Sequence, residues 1–329
     1  MMKTKIKGYF MLFRILPVMV WSFTGTLIGT SLAILDGHEI KWLPFLLVLT
    51  ISSLIQGYPT HIVNEIFDWK SGADSHDLRG KKSGGSKVMQ ARLLSMGDLW
   101  QAFIAANLLL LILLAACVVW INFEIVLYFM LPGYLSGLLY SLPPFRFSYR
   151  PFLGEWLGGF AGMSLLVLGS YYAQAQTLST VAALTAPGIG LIYIGIMIFF
   201  HYVDIDNDRL ATPRKNTTVV FLGLEASRRY VYVCLAASTT IFLIAAMRFQ
   251  SHLLPFVALS VILLCSHWKS DLSNNLSIIK WGKVVTYATI ICGLGFAALA
   301  QPLLLLMILP VLFGFWSHKK FGKLGSVSR

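Results

Sequence analysis

Apolar runs of about 20 residues, the length a helix needs to cross a bilayer, recur along the whole chain. Short polar segments close them, most of them basic. The runs cover about 11–35, 42–63, 99–119, 121–141, 152–172, 180–202, 229–247 and 252–268, and each predicts a transmembrane helix. A last run, 283–316, is too long for one span and carries Pro302 near its middle. It reads either as one long tilted helix with a tail or as a hairpin of two. The pattern therefore predicts an all-α polytopic membrane protein with nine transmembrane helices, or ten if the last run is a hairpin. The first run follows Lys3, Lys5 and Lys7, as a signal peptide would, but no clean small-x-small cleavage site follows, which favours an uncleaved first helix.

Composition agrees. Of the 329 residues 57% are hydrophobic and only 12% charged, about half the usual share for a soluble domain. Mean hydropathy is +0.73. A soluble core cannot bury that much apolar surface, so a secreted domain, a disordered chain and a nucleic-acid binder are excluded. The net charge of +12 is explained by its distribution. If the N-terminus is inside and the spans alternate, 24 of the 26 Lys and Arg fall on the inner side, leaving Lys41 and Arg248 outside. Positive residues favour the cytoplasmic side. An even helix count also returns the basic C-terminus inside. Cys117, Cys234, Cys265 and Cys292 lie singly in apolar stretches and read as small core residues.

The acids are uneven as well. Seven of the fourteen fall in two short windows, each at the inner end of a predicted helix. The first holds His61, Asn64, Glu65, Asp68, Asp74 and Asp77. Asn64 and Asp68 share a helix face, and Gly72 marks the helix end. The second holds His201, Asp204, Asp206, Asp208 and Arg209, then Lys215 and Thr217. Asp204 and Asp208 share a face with His201 one turn earlier, while Asp206 points elsewhere. Two oxygen-rich helix ends at one membrane face suit Mg²⁺, which takes carboxylates together with substrate phosphates, with nearby Arg and Lys for the remaining phosphate charge.

The first window resembles the NDxxD motif of the UbiA superfamily of intramembrane prenyltransferases, and the second its DxxxD motif with the trailing basic-x-Thr of Lys215, Asn216 and Thr217. Tyr140, Ser141, Pro143, Pro144 and Arg146, leading to Gly154 and Glu155, resemble the family's loop after the fourth helix; Arg14 and Pro17 suit its first helix. The resemblance covers essentially the whole chain, read as one prenyltransferase domain, 1–329, with active-site loops at about 64–98 and 203–229. Asp74, ten residues after Asn64, with Gly84, Gly85 and Ser86 beyond it, is most similar to the branch that prenylates 1,4-dihydroxy-2-naphthoate for menaquinone, as is the run from Gly169 to Gln174. Departures are Glu65 in place of Asp, His201 where Asn is common, and Thr212, Pro213 and Arg214 before the motif lysine.

The resemblance implies a UbiA-like helical bundle in a bacterial-type inner or plasma membrane, with the N-terminus and active-site loops cytoplasmic. It implies Mg²⁺-dependent transfer of a polyprenyl group from polyprenyl diphosphate to an aromatic acceptor, and no nucleic-acid partner. Asn64, Asp68 and Asp74 are expected to hold one Mg²⁺ and Asp204 and Asp208 a second, with Asp68, Asp204 and Asp208 catalytic. Arg79, Arg209 and Lys215 are the expected diphosphate clamps. Tyr140, His61, Glu155 and Tyr171 are expected at the acceptor and the allylic cation, and Tyr172, Phe200 and Tyr202 also flank the expected site. Residues 75–92 are expected to form a lid over the diphosphate. His267, beside Trp268 at a helix end, reads as an interfacial anchor. The acceptor stays open: dihydroxynaphthoate, 4-hydroxybenzoate, homogentisate, a chlorin or haem, or a glycerol lipid phosphate. A transporter would place its acids near the midplane on broken helices. A CDP-alcohol phosphatidyltransferase would carry DGxxAR, whereas His38 follows Asp36 and Gly37.

Overall fold

The computed structural model describes residues 2–74, 85–121 and 125–321, and no strand occurs among them. Eight helices are long and apolar enough to cross a membrane: Thr4–Leu35 (α1), Trp42–Ser71 (α2), Met96–Val119 (α3), Thr180–Leu210 (α6), Leu224–Arg248 (α7), Ser251–Lys269 (α8), Asn275–Ala300 (α9) and Pro302–Phe321 (α10). Two further helices occur among the described residues. Ile125–Leu139 is α4. The π-turns of Gly154–Ala161 run without a break into Gly162–Ala175, and together these are α5.

The last apolar run is a hairpin. Gln301 is extended and Pro302 follows, so the chain leaves α9 and turns back. The rings of Tyr287 and Phe315, near-symmetric about that turn, lie 5.5 Å apart. α10 packs on the first half of α1, where Phe10 stacks on Phe321 at 5.1 Å. α9 itself meets the second half of α1, at Thr24 and Gly293. The two arms of the hairpin thus pack along successive halves of α1.

α1 and α5 approach closely. A Cβ at Gly29 would fall well inside contact distance of the Val167 carbonyl. The core gathers along α1, α6 and α9 around Leu27, Leu32, Ile189, Phe199 and Phe296. The outward faces carry exposed Leu111, Ile112, Val233, Ile291 and Leu309. Such a surface is stable only against lipid, and the protein is a multi-pass integral membrane protein.

Three stretches widen from α to π geometry: Met19–Phe23, Gln56–Thr60 and Gly154–Ala161. Such turns release backbone groups and occur often at functional sites. All three line the central cavity, through Val20, Trp21 and Ser22, through Gln56 and Thr60, and through Gly158. Gln56 ties two of them together. Its Oε1 accepts from Ser22 Oγ at 2.6 Å, and its Nε2 donates to the Pro17 carbonyl at 3.2 Å.

One end of the bundle is pinned by Asp36, whose carboxylate accepts from Tyr171 at 2.8 Å, Ser179 at 2.6 Å and Gln250 at 2.5 Å. The acids of the two sequence motifs lie at the other end. His267 is fully buried rather than interfacial. Its ring nitrogens lie 3.2 Å from the Tyr202 hydroxyl and 3.1 Å from the Gly195 carbonyl, and only its neighbour Trp268 is exposed. Cys265 is likewise exposed, not a core residue.

Candidate functional site

The bundle encloses a cavity of about 1850 Å³. Its walls are mainly apolar, with Val48, Met130, Met163, Leu166, Leu294 and Val311 among them. Its polar end is lined by Asn64, Asp68, Asp74, Asp204, Asp208 and Lys215. The two motifs reach it because α2 and α6 continue past their apolar stretches. α6 has 31 residues, roughly 46 Å at 1.5 Å per residue, against a hydrocarbon core of about 30 Å. It is thus long enough for its last two turns, which carry Asp204 and Asp208, to extend beyond an apolar layer of that thickness. α2 ends at Gly72, whose positive φ of 80° stops the helix four residues past the motif residue Asp68.

Asp68 is the hub. Its Oδ2 accepts from Lys215 Nζ at 2.8 Å and from Asn64 Nδ2 at 2.9 Å, and its Oδ1 accepts from the Tyr149 hydroxyl at 2.9 Å. Asn64 Nδ2 also reaches Ser141 Oγ at 3.1 Å. Lys215 lies in addition 3.7 Å from Asp208 Oδ1. One buried ammonium therefore bridges the two motifs. Burial by itself lowers the Lys215 pKa, but the charges of Asp208 and Asp68 outweigh it and hold the ammonium well above the usual lysine value.

Asp74 lies beside this hub. Its amide reaches the Asp68 carbonyl at 3.3 Å, its own carbonyl accepts from Gln90 Nε2 at 2.6 Å, and Lys87 Nζ is 3.8 Å from its Oδ1. Burial first, then the Asp68 and Glu65 charges, push its carboxyl well above the usual carboxylate range. The chain after the first motif folds back over these acids. Ser86 donates its amide to Glu65 Oε2 at 2.9 Å, and Gly85, at φ 80°, lies so near Asp74 that a Cβ there would come within 2.5 Å of Asp74 Oδ2.

A second polar chain runs along one wall. His201 Nδ1 lies 3.2 Å from Glu155 Oε1, and Glu155 Oε2 accepts from Thr218 Oγ1 at 2.7 Å. On the other side of the imidazole, Nε2 lies 3.3 Å from the Tyr140 hydroxyl. Phe152 donates its amide to Thr218 Oγ1 at 2.7 Å, fixing the far end.

Most of the expected residues converge here. Asn64, Asp68, Asp74, Asp204, Asp208, Lys215, His61 and Tyr140 line the cavity, as do Phe200 and His201. His61 Nδ1 lies 3.2 Å from the Phe13 carbonyl, where Arg14 breaks the first helix. Glu155 is buried behind His201. Other expected residues are not brought to it, and Tyr172 is not among the cavity residues. Tyr171 belongs to the opposite end, bound to Asp36, because it follows Glu155 by more than four turns of α5. Arg209 is exposed and not among the cavity residues, because it follows Asp208 by one position and so points away from it. Tyr202 also points away, to His267. Arg79, like most of the expected lid at 75–84, lies outside the described residues. Sequence reasoning missed Tyr149, and it gave no individual role to Ser141, within the loop after the fourth helix, or to Lys87 and Gln90, within the expected lid; all four reach the two acidic stretches.

Among the described residues no three His, Cys, Asp or Glu side chains are grouped so as to hold a metal ion by themselves. The acids still fit a hard cation. Asp74 Oδ2 and Asp208 Oδ2 are buried and accept no hydrogen bond among the described residues. A partial set of carboxylate oxygens suits Mg²⁺, which keeps water and substrate phosphate in its shell and is seldom caged by protein alone.

Comparison with known proteins agrees with this architecture. The chain is 29% identical to 1,4-dihydroxy-2-naphthoate octaprenyltransferase of Escherichia coli (strain K12) over 240 residues, covering 70% of this chain and 73% of that one. Its fold is similar to a UbiA homolog from Archaeoglobus fulgidus bound to GPP and Mg²⁺, at 17% identity and a TM-score of 0.62, over 88% of this chain and 99% of that one. It is also similar to a UbiA homolog from Aeropyrum pernix K1, at 15% identity and a TM-score of 0.61, over 83% and 95%. Residues 22–282 match the UbiA prenyltransferase family, and with the match spanning most of its length the chain belongs to that family and is a prenyltransferase.

Proposed function

We propose that this protein transfers a polyprenyl group from polyprenyl diphosphate to 1,4-dihydroxy-2-naphthoate, giving demethylmenaquinol, the reduced form of demethylmenaquinone, with Mg²⁺ as cofactor. The observation that carries the proposal is the junction of two carboxylate-bearing helix ends at one mouth of a long apolar cavity, bridged by Lys215 between Asp68 and Asp208. The relative from E. coli carries the name of this activity, and homologues of the same fold were solved with GPP, DMAPP and Mg²⁺.

The diphosphate occupies the polar mouth and the prenyl tail the apolar cavity. Asn64, Asp68 and Asp74 would hold one Mg²⁺, and Asp204 and Asp208 a second; when bound, the metal would supply Lewis acidity to the departing diphosphate. Lys215 and Lys87 neutralise further phosphate charge from within the cavity wall. Asn64 and Tyr149 orient the Asp68 carboxylate by hydrogen bonds. Tyr140 and Phe200 present aromatic surface beside the acids, where an allylic cation is stabilised by ring faces. The apolar walls exclude water, which would otherwise capture that cation. The acceptor attacks through a ring carbon, and loss of CO₂ restores aromaticity. The motif end of the bundle faces the cytoplasm, in keeping with the distribution of Lys and Arg. The whole chain acts as one domain, with active-site loops at about 64–98 and 203–229.

The test is prenyl transfer from labelled geranylgeranyl diphosphate by membranes containing the protein, against a panel of aromatic acceptors. Lipid-soluble product with dihydroxynaphthoate supports the proposal. Product only with another acceptor keeps the chemistry and overturns the menaquinone assignment.

A further inference from the structure

Glu155, His201 and Tyr140 form one continuous hydrogen-bonded chain from the protein interior to the cavity. A carboxylate only accepts hydrogen bonds, so the 3.2 Å contact of His201 Nδ1 with Glu155 Oε1 puts a proton on Nδ1. Both Glu155 oxygens are then engaged, the second by Thr218 at 2.7 Å. In the neutral imidazole, Nε2 is left as the acceptor. It lies 3.3 Å from the Tyr140 hydroxyl, which donates to it. The lone pairs of that hydroxyl remain to accept from a molecule in the cavity, which both Tyr140 and His201 line. The Tyr140 ring is held in register by α5, where a Cβ at Gly158 would come within 2.9 Å of its Cδ2. None of these groups belongs to the carboxylate cluster assigned to the diphosphate, so the chain has no evident part in binding that group.

We propose that Tyr140, His201 and Glu155 are a proton relay for the hydroxyl of the aromatic acceptor, an inference that rests on the proposed prenyl transfer. The acceptor O–H donates to the Tyr140 oxygen. As the acceptor's oxygen lone pair feeds the ring and the ring carbon bonds to the prenyl carbon, the acceptor proton passes to Tyr140. The Tyr140 proton passes at the same time to His201 Nε2; the diphosphate has already left the prenyl carbon with the electron pair of the broken C–O bond, giving the allylic cation that the ring carbon captures. The imidazolium so formed is stabilised by Glu155. When the substituent on the attacked carbon leaves, as CO₂ or as H⁺, its electron pair re-forms the aromatic ring and the oxygen takes its proton back along the same path. Tyr140 contacts the acceptor; His201 and Glu155 act through it as positioning and proton-holding residues. The ligand class is an aromatic ring with a free hydroxyl.

The test is steady-state prenyl transfer by the full-length purified protein with geranylgeranyl diphosphate, Mg²⁺ and dihydroxynaphthoate, comparing His201→Gln, Glu155→Gln and Tyr140→Phe with wild type. Glutamine keeps hydrogen-bonding capacity but holds no proton. Each variant is expected to lose kcat by about 100-fold or more, the usual yield of general acid–base catalysis, with KM for the prenyl diphosphate within about threefold of wild type, since the diphosphate cluster is untouched. A solvent deuterium isotope effect on wild-type kcat is the second readout, expected for a relay and absent for a scaffold. Wild-type kcat in His201→Gln and Tyr140→Phe overturns the relay. A loss of transfer matched by an equal loss of diphosphate binding also overturns it, because it marks a purely structural role. A wild-type protein that transfers to no hydroxyaromatic acceptor overturns the underlying function instead.

Discussion

Lys215 Nζ stands 2.8 Å from Asp68 Oδ2, joining residues 147 positions apart in the chain. The ammonium also faces Asp208 at 3.7 Å, so its removal leaves two buried carboxylates to repel one another. Breaking a buried ion pair from one side costs about 3–5 kcal/mol. Lys215→Met is therefore expected to lower thermal stability in detergent and to raise KM for the prenyl diphosphate. Added Mg²⁺ should raise its Tm by more than it raises that of wild type, since divalent charge can replace the lost ammonium. Parallel thermal melts with and without Mg²⁺ check this.

Gly85 permits the chain to close over Asp74. A side chain at φ 80° is itself strained by about 1–2 kcal/mol, and its Cβ would stand 2.5 Å from Asp74 Oδ2. Gly85→Ala is expected to displace that carboxylate and to raise the Mg²⁺ concentration needed for half-maximal rate by about tenfold, the scale on which disturbed metal surroundings act. A Mg²⁺ titration of initial rate measures it.

The length of the apolar cavity sets which prenyl chains fit. Leu294 lines it on α9, about 24 Å along the helix from Ile278 at 1.5 Å per residue. Leu294→Trp is expected to leave transfer from geranyl diphosphate within about twofold while lowering transfer from long polyprenyl diphosphates by about tenfold or more, as the far end fills. Competition between short and long donors in one assay reads the ratio directly.

The α1–α5 contact is a stability determinant away from the chemistry. Any side chain at Gly29 would meet backbone atoms of Val167 and Tyr171, which move only if the helices separate. Gly29→Val is expected to destabilise the bundle by about 3 kcal/mol, the upper end for overpacking. Lower Tm and poorer recovery of folded protein, without a change in Mg²⁺ dependence in the surviving fraction, are the outcomes to look for.

What the sequence made legible follows from periodicity. Asn64 with Asp68 and Asp204 with Asp208 are four residues apart, and helix geometry alone puts each pair on one face. The hairpin of α9 and α10 was one of two readings, open because Pro302 suits either a kink or a turn; the extended Gln301 resolves it. Tyr149 and Ser141 reach Asp68 and Asn64 across 81 and 77 positions, and no local pattern encodes such a contact. Tyr171 was misplaced by motif likeness although four turns of helix already put it at the far end. His267 was misread because the exposed Trp268 and Lys269 beside it resemble a membrane-surface belt, while its own side chain faces α6.

The central claim is that Asp68 and Asp208, brought together across the chain, hold the Mg²⁺ and diphosphate. The measurement that tests it most directly is Mg²⁺-dependent prenyl transfer by purified Asp68→Asn and Asp208→Asn, with folding checked by thermal melts. Each variant should retain a cooperative melt and lose transfer by about 100-fold or more, in line with the loss of a group that stabilises transition-state charge, and EDTA should reduce wild type to the same level. Transfer at the wild-type rate by either folded variant at equal Mg²⁺ would contradict the account.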